Sequence, residues 1–160
     1  MIPVPHQPAI VRITLPQPGL DELQADARSE SYFFVGRLVE EWEQRVNRFD
    51  GPGEVLLGSF DSGLLIAVGG LHRDPYAQHG GIARIRRVYV RPALRGYGIG
   101  TRIVIALLQE ARKTFRLVRL RAINPGAARL YERVGFQPAA LPDATHILPL
   151  HPMDSYPPGS

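Results

Sequence analysis

The chain has 160 residues, of which 44% are hydrophobic and 21% charged, a balance typical of one globular domain with its own core. The absence of cysteine excludes disulfides, thiolate metal sites and cysteine nucleophiles. The formal net charge is +4, and Lys113 is the only lysine, so arginine supplies nearly all of the positive charge. This charge favours anionic ligands, but no helix-turn-helix pattern or aromatic-interleaved basic stripe indicates nucleic acid as a partner.

The sequence shows no targeting or membrane segment. The start, "MIPVPHQPAI", has no basic segment followed by an apolar core, so no signal peptide is expected. The longest strongly apolar run, "IVIALL", is far too short to span a bilayer. We therefore expect a cytoplasmic protein without a membrane partner.

The first third of the chain predicts one strand and a broken helical region. "AIVRITL" at residues 9–15 is typical of a strand, and a helical pattern follows over residues 20–49, interrupted near 29–32. After this interruption, a single apolar stripe recurs at helical spacing: Phe34, Leu38, Trp42 and Val46. "DGPG" at residues 50–53 ends the region.

Three strands are predicted next. "EVLLGSF" and "LLIAVGGLHR" flank "DSG" at residues 61–63, a pattern that predicts a β-hairpin. After the loop "DPYAQHGG", the segment "IARIRRVYV" at residues 82–90 predicts a third strand of this group.

The second half predicts helix, strand, helix and strand. A glycine-rich turn opens a helix over residues 98–113, and "FRLVRLRAI" at residues 115–123 predicts a strand. The next helix has clear end signals: Asn124 suits its N-cap, Pro125 its first position, and Gly135 its C-terminal cap. "THILPL" predicts a last strand, and residues 151–160 are expected to form a flexible tail.

The order of these elements predicts one mixed α/β (α+β) domain over residues 1–150. Its central sheet should be mainly antiparallel and flanked by helices, because most of its strands follow one another through short connections. One parallel βαβ crossover should join the strand at 82–90 to the strand at 116–123.

The turn "RGYGIG" places glycines at alternate positions: Gly96, Gly98 and Gly100. A dinucleotide-binding turn needs G-x-G-x-x-G and a later acidic residue, and a nucleotide P-loop needs a lysine, so neither pattern fits. A plain strand-to-helix connection would explain one or two of these glycines. Glycines at the start of a helix let backbone N–H groups approach an anion closely, which favours a pyrophosphate.

These residues resemble the GNAT family of N-acetyltransferases. "RGYGIG" matches the family's Q/R-x-x-G-x-G/A signature through Arg95, Gly98 and Gly100. "NPGAARLYERVGF" is similar to the later motif N-x-x-A-x-x-x-Y-x-x-x-G-F. The preceding "VYVRP" and the segment "GGLHRDPY" also resemble strands of that family. The likeness is greatest over residues 82–136 and smallest in the first 50.

The resemblance implies an acyl-CoA-dependent N-acetyltransferase. It would transfer acetyl from acetyl-CoA to a primary amine of a small molecule or peptide by direct attack, with no metal. The pyrophosphate would bind the backbone N–H groups of a continuous segment: Arg95, Gly96, Tyr97, Gly98, Ile99, Gly100 and Thr101. The pantetheine arm would follow Val88, Tyr89 and Val90 on a bulged strand, and the backbone N–H near Val90 would polarise the thioester carbonyl.

Two residues of the later motif have candidate roles. In the family, a tyrosine at the position of Tyr131 protonates the departing CoA thiolate; a packed core aromatic is the alternative. Asn124 is a candidate cofactor ligand, a helix cap, or both.

The general base is an open question. Many relatives carry a glutamate where this chain has Arg84. His72, Asp74 and His79 are candidate bases, although an acceptor amine of low pKa would need none. Arg84 also suggests an electropositive acceptor site, one that prefers substrates with a carboxylate or phosphate.

Two further expectations follow from the resemblance. The acceptor site of this fold lies near residues 28–34 and 137–145, and many members form homodimers. The missing acid keeps a second interpretation open, a non-catalytic acyl-CoA-binding regulatory module.

Overall fold

The computed structural model describes residues 7–150, so the predicted tail at 151–160 lies outside the described residues. The strands within this range are β1 (Val11–Arg12), β2 (Val55–Asp61), β3 (Leu64–Arg73), β4 (Ile82–Val90), β5 (Leu117–Leu120), β6 (Gln137–Pro138) and β7 (His146–Pro149). The helices are α1 (Leu20–Ser29), α2 (Phe34–Glu43), α3 (Ile99–Ala111) and α4 (Pro125–Val134), with a short 3-10 turn at Pro92–Leu94.

The strands form one sheet in the order β1-β2-β3-β4-β5-β7-β6. Every neighbouring pair is antiparallel except β4 and β5, which are parallel and connected through α3. This confirms the predicted fold class, a mainly antiparallel sheet flanked by helices with one parallel crossover.

The parallel pair is short. Ile82 to Arg84 of β4 pairs with Leu117 to Arg119 of β5, and beyond this point the two strands have no further register pairs. The edge of β4 that faces β5 therefore lacks a partner strand from Ile85 to Val90. Unpaired backbone at a strand edge can bond an extended ligand.

A bulge lies in the same part of β4. Val68 pairs with Tyr89 and Gly70 with Arg86, so Gly69 alone lies opposite two residues of β4. Arg87, one of those two residues, has a φ of 62°, in the left-handed region. A bulge of this kind increases the local bend of a strand, which is consistent with the divergence of β4 from β5.

The two faces of the sheet carry separate cores. One buried cluster packs α3 and α4 on the sheet and includes Ile103, Leu107 and Ile85. The other packs α1 and α2 on the opposite face and includes Leu38 and Tyr89. Since β4 contributes to both, its side chains divide the molecule into an α3/α4 side and an α1/α2 side.

Several local predictions are confirmed. The hairpin turn between β2 and β3 has Ser62 and Gly63 at φ values of 53° and 80°, as a type I′ turn requires. Asn124 caps α4 by accepting a hydrogen bond from the Ala127 N–H at 2.8 Å. Pro125 is the first helical residue and Gly135 the C-cap.

Other boundaries were predicted wrongly. Only Val11 and Arg12 of the expected strand at residues 9–15 form register pairs, with β2 at the edge of the sheet. The second helix ends at Glu43 because Arg45 adopts a φ of 58°; Val46 is therefore 66% exposed and not part of the buried stripe. β5 is also shorter than predicted, and the two-residue β6 was not predicted.

We expect Gly19→Ala to destabilise the fold much more than Gly63→Ala. Both glycines have positive φ values, 91° and 80°, so each alanine costs roughly 1–2 kcal/mol of backbone strain. A Cβ at Gly19 would lie 2.5 Å from the Leu65 backbone nitrogen, whereas a Cβ at Gly63 would meet nothing within 4 Å. This overlap should add about 1–3 kcal/mol. Urea denaturation of both variants measures the difference, and equal losses would contradict it.

Candidate active site

A cleft of about 920 Å³ opens where β4 and β5 diverge. Val88, Tyr89 and Val90 line it, together with the turn that precedes α3 and the first turns of α3 and α4. Val88 and Val90 also pack against the α3/α4 core, whereas the Tyr89 ring is buried in the α1/α2 core. The cleft thus follows the β4 edge that has no strand partner.

The glycine turn forms one end of the cleft. Gly96 and Gly98 have φ values of 86° and 81°, and a Cβ at either position would meet nothing within 4 Å. Gly98 is the N-cap of α3, and no side chain caps the helix. The first backbone N–H groups of a helix have no partner within the helix, so this end of the cleft suits an anion. Six residues of the segment 95–101 line the cleft: Arg95, Gly96, Gly98, Ile99, Gly100 and Thr101.

Tyr97 differs from its neighbours in the turn. It is not among the cleft-lining residues, and 52% of its surface is exposed. Its side chain therefore lies outside the cleft wall.

Arg95 is held by Glu30. Its two terminal nitrogens donate to the two carboxylate oxygens of Glu30 at 2.7 and 2.6 Å, and its Nε donates to the Val90 carbonyl at 3.1 Å. The Tyr89 hydroxyl donates to the same carboxylate at 2.5 Å. The bonds from Arg95 hold the pKa of Glu30 below its ordinary value and raise the pKa of Arg95. A carboxylate thus already compensates the Arg95 charge.

Tyr131 lies on α4 and lines the cleft. Its ring is buried and packs edge-on against Phe136, with 5.7 Å between the ring centroids. Burial raises the pKa of the Tyr131 hydroxyl to about 12. The hydroxyl therefore retains its proton at neutral pH and can act as a hydrogen-bond donor.

Asn124 uses both ends of its amide. Its Oδ1 caps α4, and its Nδ2 donates to the Tyr32 hydroxyl at 3.0 Å. It lines the cleft as well, next to α4. The predicted capping role is therefore present in the geometry.

The three candidate bases do not line the cleft. His79 is exposed in the loop before β4. His72 lines a smaller neighbouring cavity, and burial, followed by the charge of Arg86, lowers its pKa to about 4. The Asp74 side chain is completely buried.

Asp74 forms ion pairs with two arginines. Arg119 Nε lies 2.8 Å from its Oδ2, and Arg84 Nη1 lies 3.5 Å from the same oxygen. Arg84 also donates to the Asp143 carbonyl at 2.6 Å, and burial lowers its pKa. Arg84 is therefore a structural partner of Asp74 and of the loop before β7.

Sequence reasoning left most of the opposite wall unassigned. Tyr32 and Phe34 of the first helical pair and Asp143 of the late loop line the cleft, in or beside the segments expected to form the acceptor site. Arg37, Tyr76 and Arg86 line it too. Neither the glycine signature nor the later motif contains them, because they come from four separate segments of the chain that only the fold brings together.

Within residues 7–150, no group of three or more histidine and carboxylate side chains is arranged to hold a metal ion. No helix in this range is long and apolar enough to cross a membrane.

We expect Glu30→Gln to lower the free energy of unfolding at neutral pH and to lower it less at acid pH. A carboxylate whose folded pKa is lowered contributes its full stabilisation above its ordinary pKa of 4.5, and loses it as the pH falls through the folded value. Because the pair is partly exposed, the loss at pH 7 should be about 1 kcal/mol or less. Urea denaturation at neutral pH and near pH 3 measures it. Exposed Glu40 is the matched control; an equal, pH-independent effect of Glu30→Gln and Glu40→Gln would contradict the prediction.

Comparisons with known proteins agree with this geometry. Residues 19–136 match the model of the Acetyltransferase (GNAT) family. The chain is 31% identical over 125 residues to the N-alpha-acetyltransferase RimI of Mycobacterium tuberculosis, covering 75% of each chain. It is also similar to two solved structures. One, from Exiguobacterium sp. 255-15 and assigned as an acetyltransferase, has a TM-score of 0.79 and 26% identity, covering 88% of this chain and 92% of that one.

The other solved structure shares the fold alone. It is a mutant of the toxin AtaT bound to the C-terminus of the antitoxin AtaR and to acetyl-CoA, with a TM-score of 0.65 and 14% identity, covering 88% of this chain and 92% of that one. The family match extends from α1 through both sequence motifs to the end of α4. The chain belongs to the GNAT family of acetyltransferases.

Proposed function

We propose that this protein transfers an acetyl group from acetyl-CoA to the primary amine of a small molecule or peptide. The observation that carries the proposal is the cleft between β4 and β5. It has an anion-suited helix start at one end and the protonated Tyr131 hydroxyl in its wall. A plain structural connection would not need these features together.

The cofactor would lie along the β4 edge. The backbone N–H groups between Arg95 and Thr101 would bind the pyrophosphate of acetyl-CoA, and Asn124 would contribute beside α4. The pantetheine arm would pair with the unpartnered edge at Val88 to Val90, much as an added strand does. By binding the pyrophosphate, the glycine turn would anchor the cofactor so that its thioester lies near the middle of the cleft.

The chemistry would be direct attack of the amine nitrogen on the thioester carbonyl carbon. The backbone N–H near Val90 would polarise the carbonyl oxygen, and the C–S bond would then break. Tyr131 would donate its hydroxyl proton to the departing sulfur. The attacking nitrogen, which carries two protons after attack, would keep one as the amide N–H and lose the other to the tyrosinate, directly or through solvent, so that the tyrosine is restored. A pKa of about 12 keeps the proton available throughout the physiological range.

The acceptor amine would lose its own proton to solvent before it attacks. His79, His72 and Asp74 are all outside the cleft wall, and the Asp74 carboxylate is already paired with two arginines. We therefore propose that none of the three is the general base. The neutral fraction of the amine would then be the reacting species.

We expect Gly98→Ala to weaken acetyl-CoA binding, whereas Gly63→Ala should not. The two glycines have nearly equal φ values, 81° and 80°, and both have open space at the Cβ position. Each alanine should therefore cost a similar 1–2 kcal/mol or so of stability. Only Gly98 lies at the helix start where the N–H groups would meet the pyrophosphate. Calorimetric titration with acetyl-CoA measures this difference, and unchanged affinity in Gly98→Ala would contradict the assignment.

We expect Tyr131→Phe to lower kcat by about 10² or more while acetyl-CoA binding is retained, since general acid catalysis contributes this much. Phenylalanine keeps the ring that packs on Phe136, so thermal denaturation should show little loss of stability. The assay is acetyl-CoA-dependent thiol release over amines, polyamines, aminoglycosides, amino acids and peptide N-termini. An unchanged kcat would reject Tyr131 as the acid. Binding of acetyl-CoA without thiol release for any acceptor would favour the non-catalytic module.

A further inference from the structure

The wall of the cleft is strongly cationic. Seven arginines line it, whereas Asp143 is the single acidic residue among the described residues that do so. Three of these arginines are paired with carboxylates that do not line the cleft: Arg84 with Asp74, Arg87 with Glu41 and Arg95 with Glu30. The remaining arginines of the wall have charges that can interact with a bound ligand.

Arg84 is not available for that role, although the sequence singled it out. Its side chain is 5% exposed and is committed to Asp74 and to the Asp143 carbonyl. Binding a ligand anion there would require one of these buried bonds to break. The electropositive site suggested by the sequence must therefore depend on neighbouring groups.

Arg86 and Arg37 have free charges on the α1/α2 side. Among residues 7–150, neither guanidinium forms an ion pair or a side-chain hydrogen bond. Arg86 lies 5.8 Å from the centre of the Tyr76 ring, and both side chains line the cleft. After the larger effect of burial, the charge of Arg86 lowers the pKa of both His72 and Arg87. The charge of Arg86 thus acts on its neighbouring side chains, and Arg86 itself has no ion-pair partner among the described residues.

The position of Arg86 separates it from the proposed pyrophosphate site. The glycine turn follows the end of β4 at Val90, whereas Arg86 precedes Val90 by four residues on the same strand. Their partners on β3, Gly70 and Ala67, are three residues apart because of the bulge, so at about 3.3 Å per strand residue Arg86 lies roughly 10 Å toward the other end of the strand. An anion at Arg86 would belong to a molecule that approaches the thioester from the opposite side.

We propose that the acceptor amine carries an oxyanion, a carboxylate or a phosphate, that binds the Arg86 guanidinium with Arg37 beside it. The planar Arg86 guanidinium presents N–H donors in the geometry that a carboxylate or phosphate can accept. The Tyr76 ring lies against one side of it. Tyr32 and Phe34 complete the apolar part of the same wall. The inference rests on the proposed function, because it assigns the acceptor half of the same cleft.

The test compares pairs of related amines in which one member carries an acidic group and the other does not. The pairs are β-alanine with propylamine, O-phosphoethanolamine with ethanolamine, and two amidated tripeptides that differ by aspartate against asparagine at the second position. For each pair, kcat/KM in thiol release and affinity in calorimetry without acetyl-CoA are measured for the wild type, Arg86→Gln and Arg112→Gln. Arg112 is the matched control because it is exposed at the end of α3, outside the cleft.

We expect the acidic member to be preferred by about tenfold or more in at least one pair, the usual effect of a charged hydrogen bond. Arg86→Gln should reduce this ratio about tenfold, and Arg112→Gln should leave it unchanged. The first two pairs distinguish carboxylate from phosphate. Ratios near one in every pair, or a ratio that Arg86→Gln does not alter, would overturn the inference. Failure to bind acetyl-CoA would instead contradict the proposed function, since amine affinity is measured separately.

Discussion

The cleft depends on one buried carboxylate. Asp74 follows β3, and its side chain, completely shielded from solvent, forms ion pairs with Arg84 of β4 and Arg119 of β5. These two arginines are also the last register pair of the parallel strands. A buried charge that is paired on two sides resists displacement, because removal of either partner leaves an uncompensated charge. The strands are thus joined at the closed end of the cleft, and their divergence beyond it opens the site.

After the bulge at Arg87, the two faces of β4 contact different parts of the molecule. On one face Val88 and Val90 pack towards α3, and on the other Tyr89 reaches Glu30 of the α1 C-terminus. Glu30 also holds Arg95, so a single carboxylate connects α1, β4 and the glycine turn. The geometry of the turn is therefore coupled to the helical pair that forms the opposite wall.

Much of the fold could be predicted from local signals. The hairpin at Ser62 and Gly63 and the caps of α4 at Asn124 and Gly135 depend on backbone conformations that residues within a few positions favour. Where prediction failed, longer-range structure decided the outcome. The segment at residues 9–15 has strand propensity along its length, but only Val11 and Arg12 form register pairs with β2. Val46 has the correct helical spacing, yet the helix ends before it.

The family, the order of the elements and the position of the glycine turn could be predicted from the sequence, because they depend on residues close together in the chain. Which charges remain unpaired could be identified only in the folded structure. Arg84 and Arg86 are two residues apart and chemically identical, and the sequence motifs pointed to Arg84 as the arginine of the acceptor site. Both lie over the Tyr76 ring, but the fold places the Asp74 carboxylate against Arg84, whereas Arg86 has no ion-pair partner among the described residues. Arg84 therefore has a structural role, whereas the Arg86 cation is open to the cleft. The difference arises because electrostatic interactions depend on distances in the folded structure.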